Sequence, residues 1–297
     1  MSIRQTATWI AEPPFVWTGT ALLGFTLSVL IFLLPLSVGP SQPLLLIGLG
    51  LLAGLHGASY GAYKDSPHES FLARRFVREL VIALVIAGTL SSIPATSGES
   101  RFILFLTVFT LTRVATEFWK LFVRIEPQKD FRIPTQFHWI RSVVDAPWIR
   151  LLVGAGFLAS IYGMYCLFTL LPKDFPVVLK GLIVGAGFGT AEAIAGAYKD
   201  GTIEGFSGIK FLKSPVFCAI GGLLASWHTT TLIFLMLAAY GSNRMFLELF
   251  FKILQPGYAP GKFRSMTGSF AEWTRQRKYF LLPYGVTWLL WVGLLLQ

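Results

Sequence analysis

Residues 61–80 read GAYKDSPHESFLARRFVREL, and residues 196–215 read GAYKDGTIEGFSGIKFLKSP. At a constant offset of 135 residues, without a gap, Lys64, Asp65, Glu69, Phe71, Arg75, Phe76 and Arg78 meet Lys199, Asp200, Glu204, Phe206, Lys210, Phe211 and Lys213. Acidic, basic and aromatic types recur at matching places, which a generic solvated rim does not require. The chain carries one charged site twice. Each copy emerges from a long, glycine-rich apolar run, and those runs set the fold class.

Hydrophobic residues make up 54% of the 297, charged residues 13%, and the mean hydropathy is +0.63. That is far from the composition of a soluble domain. Apolar stretches follow one another at 15–38, 43–63, 78–95, 102–123, 149–172, 175–198, 213–227, 229–252 and 279–296. About 20 apolar residues span a bilayer as helix, and the runs lack the alternation of a membrane barrel. The expectation is an all-α polytopic membrane protein with nine transmembrane helices.

Charge supplies the topology. All but six of the 25 Lys and Arg lie at Arg4 or within 64–78, 124–150, 199–213 and 252–278, the even-numbered connections. The positive-inside rule puts the N-terminus and both charged motifs in the cytoplasm, as in an inner or cytoplasmic membrane. The net charge of +10 is then topological, and no nucleic-acid domain is implied. Residues 1–14 do not read as a cleavable signal, because the run at 15–38 is too long for a signal-peptide core. Cys166 and Cys218 fall inside apolar spans and read as buried thiols without a disulfide or metal framework.

The duplication extends beyond the motifs. TRVATEFWKLF gives Arg113 and Glu117, and SNRMFLELFFK gives Arg244 and Glu248, both R-x-x-x-E at an offset of 131. Four spans per unit preserve orientation, so the halves read as parallel repeats of about 15–135 and 149–268, with 279–296 left over. All of it forms one membrane domain, 1–297.

Asp65 and Glu69, like Asp200 and Glu204, share a face if the backbone there is helical. Such pairs suit magnesium, which takes one or two protein carboxylates and completes its octahedron with water and phosphate oxygens. Arg74, Arg75, Arg78, Lys210 and Lys213 then offer phosphate partners. The plainer alternative is a solvated rim in which Lys64 and Lys199 simply pair with Asp65 and Asp200. Arg113 and Glu117, and Arg244 and Glu248, either lock each helix as intrahelical ion pairs or face a cavity, because ionisable groups at membrane depth avoid lipid. His56 and Glu192 fall at nearly corresponding positions of the second and sixth spans and face the same choice. His138 and His228 read as interfacial.

This layout resembles the UbiA superfamily of intramembrane prenyltransferases, which has nine helices in two four-helix bundles plus one. Its acidic motifs lie on the connections that hold KDSPHE and KDGTIE here. By resemblance, Asp65, Glu69, Asp200 and Glu204 are the magnesium-binding and catalytic acids. The basic residues above, with Lys64 and Lys199, are their phosphate partners. The implied activity is transfer of a prenyl group from an isoprenyl diphosphate to an apolar acceptor. His56, Glu192 and the two R-x-x-x-E pairs would then line the substrate cavity. The motifs depart from the family's pattern: each has two acids instead of three, and a Lys stands where Asn usually precedes the first Asp. A transporter, or a non-catalytic subunit of a membrane complex, built on the same bundle is the alternative.

Overall fold

The computed structural model describes residues 42–69, 71–130, 136–139, 142–254 and 275–297, with only the backbone at 68–69, 130, 199–204 and 252. Eight α-helices account for most of these residues, numbered here from the first described. They are α1 (Gln42–Glu69), α2 (Ala73–Ser91), α3 (Arg101–Phe118), α4 (Pro147–Thr169), α5 (Val177–Glu204), α6 (Gly208–Ala225), α7 (Leu232–Glu248) and α8 (Leu281–Leu295). All but α2 belong to segments long and apolar enough to cross a membrane. The protein fits an integral membrane protein. The expected span at 15–38 lies outside the described residues.

Local chemistry sets the helix ends. Ser100 and Ser207 cap α3 and α6, their hydroxyls accepting from the N–H groups of Ile103 and Lys210. Gly205, at φ 71°, follows α5 in the left-handed conformation that glycine adopts without strain. α2 starts at Ala73, ahead of the apolar run at 78–95, so Arg74 and Arg75 join Arg78 and Glu79 inside the helix. That is why α2 alone misses the composition of a span. The all-α expectation needs one small correction: His138–Trp139 and Ser142–Val143 form a two-residue antiparallel ladder.

α1, α2 and α3 pack as one group, α5, α6 and α7 as another, with α3 against α7 joining them and α8 lying on α1. α1 and α5 are both 28 residues long and both end on the glutamate of their charged motif. α3 and α7 both run on into five-residue π turns, Trp119–Val123 and Leu249–Ile253. Glycines set the closest approaches. A Cβ on Gly54 would stand 2.9 Å from Leu80 Cα of α2, and one on Gly189 would stand 2.7 Å from Pro215 Cα of α6. These positions are again 135 apart. Omitted side chains let backbones touch, which is how helices gain dispersion contact where lipid removes the hydrophobic drive.

α3 and α7 are parallel. Thr110 donates its hydroxyl to the Leu237 carbonyl at 2.7 Å, Gly241 lies against Leu106 and Thr110, and further along Arg113 meets Glu248. With α1 and α5 paired to them in the same sense, both charged motifs leave the bundle at the end where the π turns lie.

Candidate functional site

The backbone is helical through Asp65 and Glu69 and through Asp200 and Glu204, so each acidic pair is one turn apart on its own helix. Lys64 Nζ lies 3.3 Å from Asp65 Oδ1 and above the Tyr60 ring. The side chains of Glu69, Lys199, Asp200 and Glu204 lie outside the described residues. Arg74 and Arg75 are exposed at the start of α2; Arg78 is half-buried, 3.8 Å from Glu79 and stacked on Trp119. In the second copy Lys210 is exposed, and Lys213 sits 3.4 Å above the Phe251 ring.

Beneath the motifs lies a buried polar network. Arg113 of α3 donates to Glu248 of α7 at 2.8 Å, crossing between the two helix groups. The other Glu248 oxygen stands 3.4 Å from His56 Nε2. Thr287 of α8 donates its single hydroxyl proton to the Tyr284 carbonyl at 2.7 Å, so at 2.8 Å it accepts from His56 Nδ1. His56 therefore stands between Thr287 of α8 and the carboxylate on α7. Glu192 of α5 accepts from Asn243 and from Arg244, the latter at 3.3 Å.

Three of the four residues in the R-x-x-x-E pairs thus engage partners on other helices, while Glu117 pairs along its own. Arg113 and Glu248 find each other, Arg244 takes Glu192, and Glu117 takes Lys120 at 3.1 Å. An intrahelical lock is not what binds the arginines, because the parallel α3–α7 crossing brings a better-buried carboxylate to Arg113. His56 and Glu192 both lie in this interior but in different clusters. Of the thiols expected to be buried, Cys218 is and Cys166 is exposed, as α4 is largely uncovered. His138 is buried and stacked on Tyr198, while His228 lies 3.1 Å from the Leu295 carbonyl.

Sequence reading missed Glu79, which is buried, accepts from Thr116 at 3.5 Å, and lies beside Gly57 and Arg113. It also missed Asn243 and Thr287. An acid within the first two turns of a span is the signal that marks Glu79. Nothing in the sequence marks a threonine as a histidine's partner.

Two carboxylates one helical turn apart fit a hydrated magnesium ion. Among the described residues no three His, Cys, Asp or Glu side chains come together as a metal cluster. Comparison with protein-family models, with curated proteins and with solved structures matches nothing, so the site has to be read from its own chemistry.

Proposed function

We propose that the chain is a UbiA-like intramembrane prenyltransferase: nine spans, two parallel four-helix repeats and a final helix, with both charged motifs cytoplasmic. The observation that carries the reading is the pair of 28-residue helices, α1 and α5, each delivering an acidic pair at its last turn. The matching glycine registers and the two π turns support the duplication. Asp65, Glu69, Asp200 and Glu204 would hold magnesium, which when bound neutralises the diphosphate of an isoprenyl donor.

The chain's own residues take the rest. Arg75, Arg78, Lys210 and Lys213 bind phosphate oxygens where negative charge develops as the prenyl C1–oxygen bond breaks. The apolar acceptor bonds to C1 through a carbon or oxygen and gives up a proton, while the bundle excludes water. Arg113 and Arg244, through Glu248 and Glu192, position the interior that receives the acceptor.

One observation favours the alternative, a transporter or non-catalytic subunit on the same bundle: both interior arginines are already engaged by carboxylates of the chain. The test is binding of an unreactive prenyl thiodiphosphate to the purified chain with and without magnesium. Asp65→Asn and Asp200→Asn should each abolish magnesium-dependent binding while leaving the melting temperature unchanged. Equal affinity in both variants and the parent would refute the metal-diphosphate site. Solute flux in proteoliposomes without product would favour the transporter.

A further inference from the structure

A second cationic site adjoins the arginines of the first motif, where the end of α3, the 124–130 loop and the start of α4 meet. Arg150, in the first turn of α4, is 1% exposed and is the largest fully buried side chain described. Among the described residues its Nε and Nη1 have no hydrogen-bond partner and it makes no ion pair. A guanidinium is rarely buried without a counter-charge, because desolvation is then uncompensated.

Its place in the helix makes the charge harder to explain. The N-terminus of a helix is its positive end and favours anions. Here the N-cap is Ala146, which offers no side-chain acceptor, and the first turn has no acidic residue. Side chains lean toward the N-terminus, so Arg150 adds its charge to that same end.

The surroundings are mainly cationic, with Asp145 just before the N-cap and Glu126 in the loop as the nearby carboxylates. Arg150, Arg75 and Arg78 all act electrostatically on Arg124, whose main opposing charge is the exposed Glu126. Arg124 is 6% exposed, donates to Gln128 Oε1 at 3.1 Å, and lines an open cleft of about 310 Å³ with Trp119, Val123, Ile125 and Glu126. Gln128 is fully buried; its N–H is taken by Asp145 and its Oε1 also accepts from Phe137 N–H, so the loop is a built platform. Trp119, Trp139 and Trp148 are exposed around this end, as in the aromatic belt at headgroup level.

We propose that this is a phosphate-binding site, in which Arg150, Arg124 and the open N-terminus of α4 receive the oxygens of a phosphate group. Guanidinium forks match phosphate geometry, and free N–H groups at a helix start complete the shell. The phosphate comes from a lipid headgroup or a soluble phosphorylated ligand. The site is independent of magnesium and does not rest on prenyl transfer.

The experiment uses the full chain in nanodiscs, in EDTA, and reads the melting temperature. One arm titrates pyrophosphate into discs of zwitterionic lipid; the other replaces that lipid stepwise with phosphatidylglycerol, without soluble phosphate. The parent's melting temperature should rise in one or both arms, and the responding arm names the source. In Arg150→Met the half-saturating concentration should rise at least tenfold, and Arg124→Gln should weaken the response in the same direction. Asp65→Asn should respond like the parent, which separates failure here from failure of the acidic site. Without anion, Arg150→Met should melt at the parent's temperature or above, because an unpaired buried charge has gone. No response of the parent in either arm overturns the proposal. So does a normal response of Arg150→Met, or a lower anion-free melting temperature in that variant, which marks a purely structural arginine.

Discussion

Arg113 and Arg244 occupy corresponding places in the two helix groups, yet they are held differently. Arg113 is 14% exposed and bonds at 2.8 Å to a carboxylate that is 2% exposed; Arg244 is 32% exposed and bonds at 3.3 Å to one that is 16% exposed. The first arginine is sealed into a contact between groups, and the second stays within its own group beside a more open interior. The same contrast divides the glutamates, since Glu248 is sealed and the Glu117 side chain is 43% exposed. Duplicated residues therefore do different work. Membership of the α3–α7 crossing decides which.

The largest expected effect follows from that seal. Arg113→Met leaves Glu248 buried beside His56 without its guanidinium, and breaking a buried pair from one side costs about 3–5 kcal/mol. Arg244→Met should cost clearly less, because water reaches both partners. Glu117→Gln, which removes a pair whose carboxylate is 43% exposed, should stay within about 1 kcal/mol. Thermal or denaturant unfolding in a fixed detergent ranks the three. Equal losses for the two arginines would erase the distinction between the groups.

Helix packing offers a second, smaller contrast. Gly181 and Gly222 touch backbone to backbone in the α5–α6 crossing, with a Cβ on Gly222 falling far inside van der Waals contact with the Gly181 carbonyl oxygen. In the α1–α2 crossing a Cβ on Gly50 would meet the Ala87 methyl at 2.7 Å. The alanine methyl moves only with its own backbone, so both crossings resist a Cβ, but the approach at Gly222 is the closer. Gly222→Ala should therefore destabilise by about 1–3 kcal/mol, the range for overpacking, and by more than Gly50→Ala. A reversed order would show that the first crossing is the tighter one.

Much of this was legible in the sequence, for identifiable reasons. Runs of about 20 apolar residues can only be satisfied as helices in lipid, and seven of the nine expected spans coincide with helices long and apolar enough to cross a membrane. The acidic pairs of α1 and α5 were legible as i, i+4 pairs because the motif recurs without a gap. Pairing was not. Glu117 is the acid nearest to Arg113 in sequence, but Glu248 reaches it through a crossing that no local pattern encodes. Arg150 was hidden differently: at the edge of a span it looks like one more topological cation, and only its burial separates it from the others.

The last contrast is where each helix group places an acid of its own near its arginine, in addition to the Glu248 that bonds Arg113. Glu192 of α5 corresponds, at the offset of 135, to Gly57 of α1. A Cβ on Gly57 would stand 3.6 Å from Glu79 Oε2 and 3.8 Å from Arg113 Nη1, ordinary contacts for that atom. Ser214 of α6 corresponds in turn to Glu79 of α2. In one group the carboxylate rises from the first helix of the pair, and in the other it reaches over from the second. Glu79→Ser should weaken the first group by about 1–2 kcal/mol, given its half-buried Arg78 partner and its bond from Thr116. Adding Gly57→Glu should recover part of that loss by supplying the acid as Glu192 does. Gly57→Glu alone should be unfavourable, since it crowds a second carboxylate against Glu79. A double-mutant cycle reads the coupling directly, and contacting residues typically give 0.5–3 kcal/mol. Additive effects would mean that Glu79 and Glu192 are not two solutions to one electrostatic need.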